Sequence, residues 1–330
     1  MSHADNTIIL PEGLSAIAIG TEAGQYQDAI PGFSLSGTGE NALLSASSTA
    51  GDPATVICSG TANMEINIPE GAAATLIELS LPGAIVNTRV TVGSNASLHH
   101  IRLSVSDKQT DYSAIQHDSS RLELTSIALG GNSSNTAVIR SQGEHTHTTL
   151  YGLGITKGNE TVVNRVRLFH ASPLCQSFQT FRYVADGHSR AVFDGKITVE
   201  KHAQKIEAYQ KNNNILLSPD ARIETDPQLE IYADDVRCSH GATIGRLDEE
   251  ALFYMRTRGI PYDAARRMLI HSFADETLAG IRDITWLYQA IEKIIESPPW
   301  LTSARGSFFT KFALFPQAGT RWEKAKIRHQ

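Results

Sequence analysis

The chain has 330 residues, with 29 Lys and Arg against 35 Asp and Glu and a formal charge of −6 at pH 7. A hydrophobic share of 41% excludes a disordered polymer, and with no basic footprint no nucleic-acid partner is expected. The opening Met1-Ser-His-Ala-Asp-Asn6 lacks the basic and apolar regions of a signal peptide, and no apolar run reaches the ~18 residues of a membrane span, so a cytoplasmic protein with no membrane partner is expected.

From Leu76 to about Tyr232 the chain is a succession of short alternating runs. They are Leu76–Leu81, Arg89–Val92, Leu98–Val105, Arg121–Leu124, Ser126–Leu129, Thr136–Ile139, Thr149–Leu153, Phe178–Val184, Arg190–Phe193, Lys196–Val199 and Leu229–Tyr232. Period two predicts half-buried strands. The segments between them, such as Gly-Gly-Asn-Ser-Ser-Asn135, are turn chemistry, without the helical pattern a βαβ unit needs. The pattern runs longer than one sandwich and meets no linker, which suits a solenoid; the spacing shows no strict repeat, which leaves two packed sandwiches open.

After Gly245 the period changes. Leu247-Asp-Glu-Glu-Ala-Leu-Phe-Tyr-Met-Arg-Thr-Arg-Gly259 has acids in its first turn, arginines in its last and a glycine placed for a C-cap, which predicts a helix. A second helix is predicted after Ile260-Pro261, through Asp263–Ala274. A third is read from the stripe Ile281, Ile284, Tyr288, Ile291, Ile295, ending at Pro298-Pro299. The basic, aromatic tail over 298–330 has no clear period.

Cys58, Cys175 and Cys238 are odd in number and far apart, so reduced thiols are expected rather than a disulfide framework or a zinc site. No phosphate loop of the form Gly-x-x-x-x-Gly-Lys-Ser/Thr is present. Cys238 and His240, one residue apart, share a face of an extended strand, where thiolate and imidazole can bind iron; two ligands are too few, so the others would come from a partner. The plainer reading is a buried Cys beside a hydrogen-bonded His. His145 and His147, with Glu144 beside them, are read as sharing a strand face, more simply as ordinary strand histidines than as a metal site; His99 and His100 point apart. Asp234-Asp235 invite a second class, a β-helix polysaccharide lyase or hydrolase, which would need further acids on neighbouring coils. Arg256, Arg258, Arg266 and Arg267 fall on the predicted helices, where they read as a solvated face.

The junction Leu229-Glu-Ile-Tyr-Ala-Asp-Asp-Val-Arg-Cys-Ser-His-Gly-Ala-Thr-Ile-Gly245, continuing through Ala251-Leu-Phe-Tyr-Met-Arg-Thr-Arg-Gly-Ile260, resembles the signature of the SufB/SufD family. Upstream, Phe193-Asp-Gly-Lys-Ile197 and Tyr209-Gln-Lys-Asn-Asn-Asn-Ile-Leu-Leu-Ser218 resemble it in order and spacing, and Cys-Ser-His is closer to the SufD form than to SufB. The resemblance implies an all-β core with C-terminal helices: a right-handed parallel β-helix over 1–245, a capping helical subdomain over 246–297, and an unassigned tail. It implies a non-catalytic scaffold of the SUF iron–sulfur cluster assembly machine, paired at its β-helix edge with a SufB-like chain or with itself as a dimer. A SufC-like ABC ATPase would dock on the helices, at Leu252, Phe253, Tyr254, Arg256 and Arg258. No cofactor is expected to be bound stably; iron or a cluster would pass transiently at Cys238 and His240, on the dimer interface. The chain is shorter than typical members and is expected to start directly in the β region, without their N-terminal helical segment.

Overall fold

A computed structural model describes residues 8–9, 16–20, 25–26, 29–47, 51–296 and 312–313. Successive strands alternate between two sheets. The first sheet has nine strands, in order Ala16–Gly20, Ala54–Ser59, Ala73–Ser80, Ser97–Ser104, Arg121–Leu129, His147–Thr156, Gln176–Ala185, Ile206–Leu216 and Val236–Gly245. The second has eleven and includes Thr61–Ile68, Ala84–Val92, Lys108–Gln116, Ser133–Ser141, Thr161–His170, Arg190–Val199 and Arg222–Ile231. From Ala54 onward each strand pairs in parallel with the next but one, so the backbone winds in two-stranded coils: a parallel β-helix. Its corners are turned by residues in the left-handed region, such as Gly71 (φ 70°) and Asn95 (φ 56°) on successive coils.

The coils grow along the axis. Stacked residues are 22 apart at Ala54 and Leu76, 24 at Ser97 and Arg121, 29 at His147 and Gln176, and 31 at Gln176 and Glu207. This drift is why no fixed repeat emerges from the sequence. Strands lengthen with it, from six residues at Ala54–Ser59 to eleven at Ile206–Leu216.

Two apolar cores result. One fills the space between the sheets, with Leu44, Ile66, Leu76, Val86, Leu122, Leu168, Phe193 and Ile197. The other lies outside the first sheet: Ile77, Leu79, Ile101, Leu103, Ile127, Leu153 and Ile155 point outward and are covered by the C-terminal helices. These are α1 (Glu249–Thr257), α2 (Tyr262–Asp275), a 3-10 turn (Glu276–Ile281) and α3 (Thr285–Glu296). Asp248 caps α1 by accepting from the N–H groups of Glu250 and Ala251. Arg182 fastens α2 to the strand Gln176–Ala185, donating to the Phe273 carbonyl at 2.6 Å and pairing with Glu276. The β-helix with C-terminal helices agrees with expectation, and the helices lie along the flank of one sheet.

Several local readings need correction. The runs at Arg121 and Ser126 are one strand, as are those at Arg190 and Lys196. Ala73–Ser80, Ser97–Ser104 and His147–Thr156, expected to be half-buried, are buried on both faces over their C-terminal halves, because helices cover the outer one there. Ile281 lies in the 3-10 turn and Ile284 precedes α3, although both still pack in the outer core. Lys108–Gln116 throughout, and Ile206–Leu216 as far as Asn214, alternate in burial yet show no apolar alternation, because Lys108, Thr110, Gln116, Gln210, Asn212 and Asn214 point inward. The tail reading falls outside the described residues except at Phe312–Ala313, which pair in parallel with Ile8–Ile9.

Candidate functional site

The second sheet begins with an antiparallel hairpin, Phe33–Thr38 with Asn41–Ala46, whereas both sheets end on a strand with one open edge, Arg222–Ile231 and Val236–Gly245. Among the described residues no further coil covers that end. Its backbone N–H and C=O groups on the open side are left for another chain or for water. Inward side chains there also lack a neighbour above them: Leu229, Val236 and Cys238 are half-buried, and Ile231 and Ile244 are exposed.

Cys238 and His240 sit on this last strand, in register with Ala208 and Gln210 of the coil below. Ala208 and Gln210 are both buried in the interior, so Cys238 and His240 share the inward face at the open end, as their spacing predicted. Burial pushes the Cys238 thiol up and so favours its protonated form, partly offset by a backbone hydrogen bond donated by Ala208. Binding a metal would have to displace that proton. No group of three or more His, Cys, Asp or Glu side chains able to hold a metal occurs among the described residues, so this pair has no third such ligand among them.

The other candidates are not assembled. His145 lies in a turn at φ 55° and does not share a strand face with His147, correcting that expectation. His147 contacts Gln176 Oε1 at 3.2 Å and Thr149 Oγ1 at 3.3 Å, and its ring lies 5.5 Å from that of Phe178. Asp234 and Asp235 are exposed in the loop before the last strand, and Asp235 is tied by its backbone to Gln204 and Lys205 rather than set against another carboxylate. That is not the carboxylate pair a glycosidase uses.

On α1, Phe253 is 68% and Tyr254 59% exposed, and Arg258 stacks on the Tyr254 ring at 5.0 Å. Arg256 reaches over Tyr262, which is also exposed and extends the aromatic patch to the start of α2. Leu252, read with them as a docking residue, is 2% exposed and so offers no surface. Arg266 is turned back to the solenoid, 3.6 Å from Asp186.

A charged cluster inside the β-helix escaped the sequence reading. Arg102 Nε lies 3.2 Å from both carboxylate oxygens of Glu78, and His100 Nε2 lies 3.4 Å from Oε2, all fully or almost fully buried. Burial would raise the Glu78 pKa, but Arg102, then His100 and Lys108, outweigh it and hold the carboxyl at about 2. Burial first and Arg102 second bring the Lys108 amine down to about 7. The available signal was polar residues at every second position of Leu76-Ile-Glu-Leu-Ser-Leu81, which reads equally well as a solvent face.

The family model for the SUF system FeS cluster assembly SufBD core domain matches residues 55–273, from the second strand of the first sheet to the end of α2. The iron–sulfur cluster assembly protein SufD of Escherichia coli is 35% identical over 245 residues, 71% of this chain and 58% of the relative. An iron–sulfur cluster assembly SufBD family protein of Synechocystis is 35% identical over 199 residues, 59% of this chain and 44% of the relative. The chloroplastic protein ABCI7 of Arabidopsis thaliana is 34% identical over 195 residues, 57% of this chain and 41% of the relative. This chain therefore spans between about two-fifths and three-fifths of the length of these relatives. With the β-helix, its open Cys–His end and these matches together, the chain belongs to the SufB/SufD family of iron–sulfur cluster assembly proteins, as a SufD-like member.

Proposed function

We propose that this chain is a non-catalytic scaffold subunit of the SUF machine that pairs through its last coil with a SufB-like chain or a second copy of itself. Nascent iron or iron–sulfur cluster is held transiently at the seam. The open end carries this reading: it combines two open sheet edges with a soft thiol and an imidazole on one inward row. Edge-to-edge pairing supplies the missing backbone hydrogen bonds and sets one Cys–His pair against ligands of the other chain. Cys238→Ser keeps most of the volume and His240→Ala acts at an exposed position, so the double variant is expected to fold and pair as the parent does. It is expected not to support cluster assembly in cells that depend on this system. Growth and cluster content equal to the parent would overturn the assignment.

The same reading places a SufC-like ABC ATPase on the exposed aromatic and arginine patch of α1 and α2. Truncating two exposed aromatics at the centre of an interface typically weakens it by roughly tenfold or more. Phe253→Ala/Tyr254→Ala is therefore expected to lose co-purification with the ATPase at an unchanged melting temperature. Equal recovery of the ATPase would exclude this docking face.

A further inference from the structure

The coil beneath the open end is built from two motifs that pairing and docking leave unused. Tyr209-Gln-Lys-Asn-Asn-Asn214 sends Gln210, Asn212 and Asn214 inward, all buried, in register below His240, Ala242 and Ile244. Asn214 Nδ2 donates to Asn212 Oδ1 at 2.7 Å and to the Thr243 carbonyl of the last strand at 3.0 Å. Gln210 Nε2 donates to Gln179 Oε1 of the preceding coil at 3.0 Å. Its own Oε1 is buried and accepts no hydrogen bond. Across the interior, Gly195 of Phe193-Asp-Gly-Lys196 makes the room. A Cβ at Gly195 would lie 2.5 Å from Gln210 Nε2 and 2.4 Å from Phe193 Cζ, so a side chain there would collide with the amide and the ring.

A buried amide oxygen without a donor is an unmet demand, and the residue stacked on Gln210 in the open strand is His240. Residues paired in register on one face of a sheet stand about 4.8 Å apart, a gap an imidazole closes by turning about its side-chain bonds. We propose that Gln210 is a positioning residue: its Oε1 accepts the N–H of one His240 ring nitrogen, fixes the tautomer, and turns the other nitrogen toward the open end. Ligating imidazoles are commonly oriented in this way by an acceptor on their far nitrogen. That the outward nitrogen serves iron rests on the proposed function; the ring's orientation rests on register and the unused oxygen.

The test is the ¹⁵N spectrum of the full chain, histidine-labelled, at about pH 8.5, where an ordinary imidazole is neutral. His240 is identified as the signal lost in His240→Ala. In the parent it is expected in one tautomer. Gln210→Met, of similar volume and without the acceptor, should shift the tautomer ratio about tenfold toward that of free imidazole. Gln210→Glu, which keeps an acceptor oxygen, should restore the single tautomer, and the other histidine signals should stay in place. A free-imidazole mixture in the parent overturns the proposal with no variant needed, and so does a Gln210→Met chain with the parent's tautomer. No iron or partner is involved, so a single tautomer in a chain whose Cys238→Ser/His240→Ala variant still supports assembly would remove the proposed function alone.

Discussion

Changing Glu78 to Gln is expected to lower the unfolding free energy by roughly 3–5 kcal/mol, the usual cost of removing one partner from a buried ion pair. The substitution preserves shape and leaves Arg102 charged in the interior with Lys108 nearby, so the loss is one of charge compensation rather than of packing. The pH dependence has a definite sign. The folded-state pKa of Glu78, about 2, lies below its ordinary value of 4.5, so its contribution is fully present above 4.5 and is lost as pH falls toward 2. Urea denaturation across that range should show the parent weakening with acid and Glu78→Gln weakening less. A double change, Glu78→Gln with Arg102→Met, should recover much of the loss, because replacing the whole pair by uncharged groups is often near neutral. A single-variant cost under about 1 kcal/mol would show that water, not the carboxylate, compensates Arg102.

A chain ending at Gly245 is expected not to accumulate as a folded protein, although its β-helix would be intact on paper. Removing the helices uncovers Ile77, Leu79, Ile101, Leu103, Ile127, Leu153 and Ile155 on the outer face of the first sheet. It also removes Ile270, Leu278, Ile281, Leu287, Ile291, Ile294 and Ile295, which are buried against them. At about 1.5–3 kcal/mol per fully buried apolar side chain, the loss is as large as the ~5–15 kcal/mol that holds a typical domain together. Soluble yield, and cooperativity of unfolding by circular dichroism, check this directly. A truncated chain that unfolds cooperatively near the parent's urea midpoint would mean that the helices only rest on the solenoid. For the same reason ATPase docking is tested by point changes on α1, since deletion would confound loss of the partner with loss of the fold.

Much of the fold was local and therefore legible in the sequence. Period two, with turn residues between the runs, marked the β region, and capping chemistry at Asp248 and Gly259 bounded α1, because strand alternation and helix ends are decided by residues a few positions apart. The spacing of Cys238 and His240 placed them on one strand face for the same reason. Which face pointed where was not local. In Ala73–Ser80 and Ser97–Ser104 the polar residues Glu78, Ser80, His100 and Arg102 turn inward beside Leu76 and Leu98, while Ile77, Leu79, Ile101 and Leu103 turn out, so the outer face is not a solvated one. Alternation is symmetric between two faces, so the choice fell to the distant C-terminal helices, which bury the outer face, and to the pairing of Arg102 with Glu78 inside. Gln210 is the same case at the site. As sequence it was one letter of Tyr209-Gln-Lys-Asn-Asn-Asn214; only the stacking of coils put its unused oxygen beneath His240, with Gly195 clearing the space across the core.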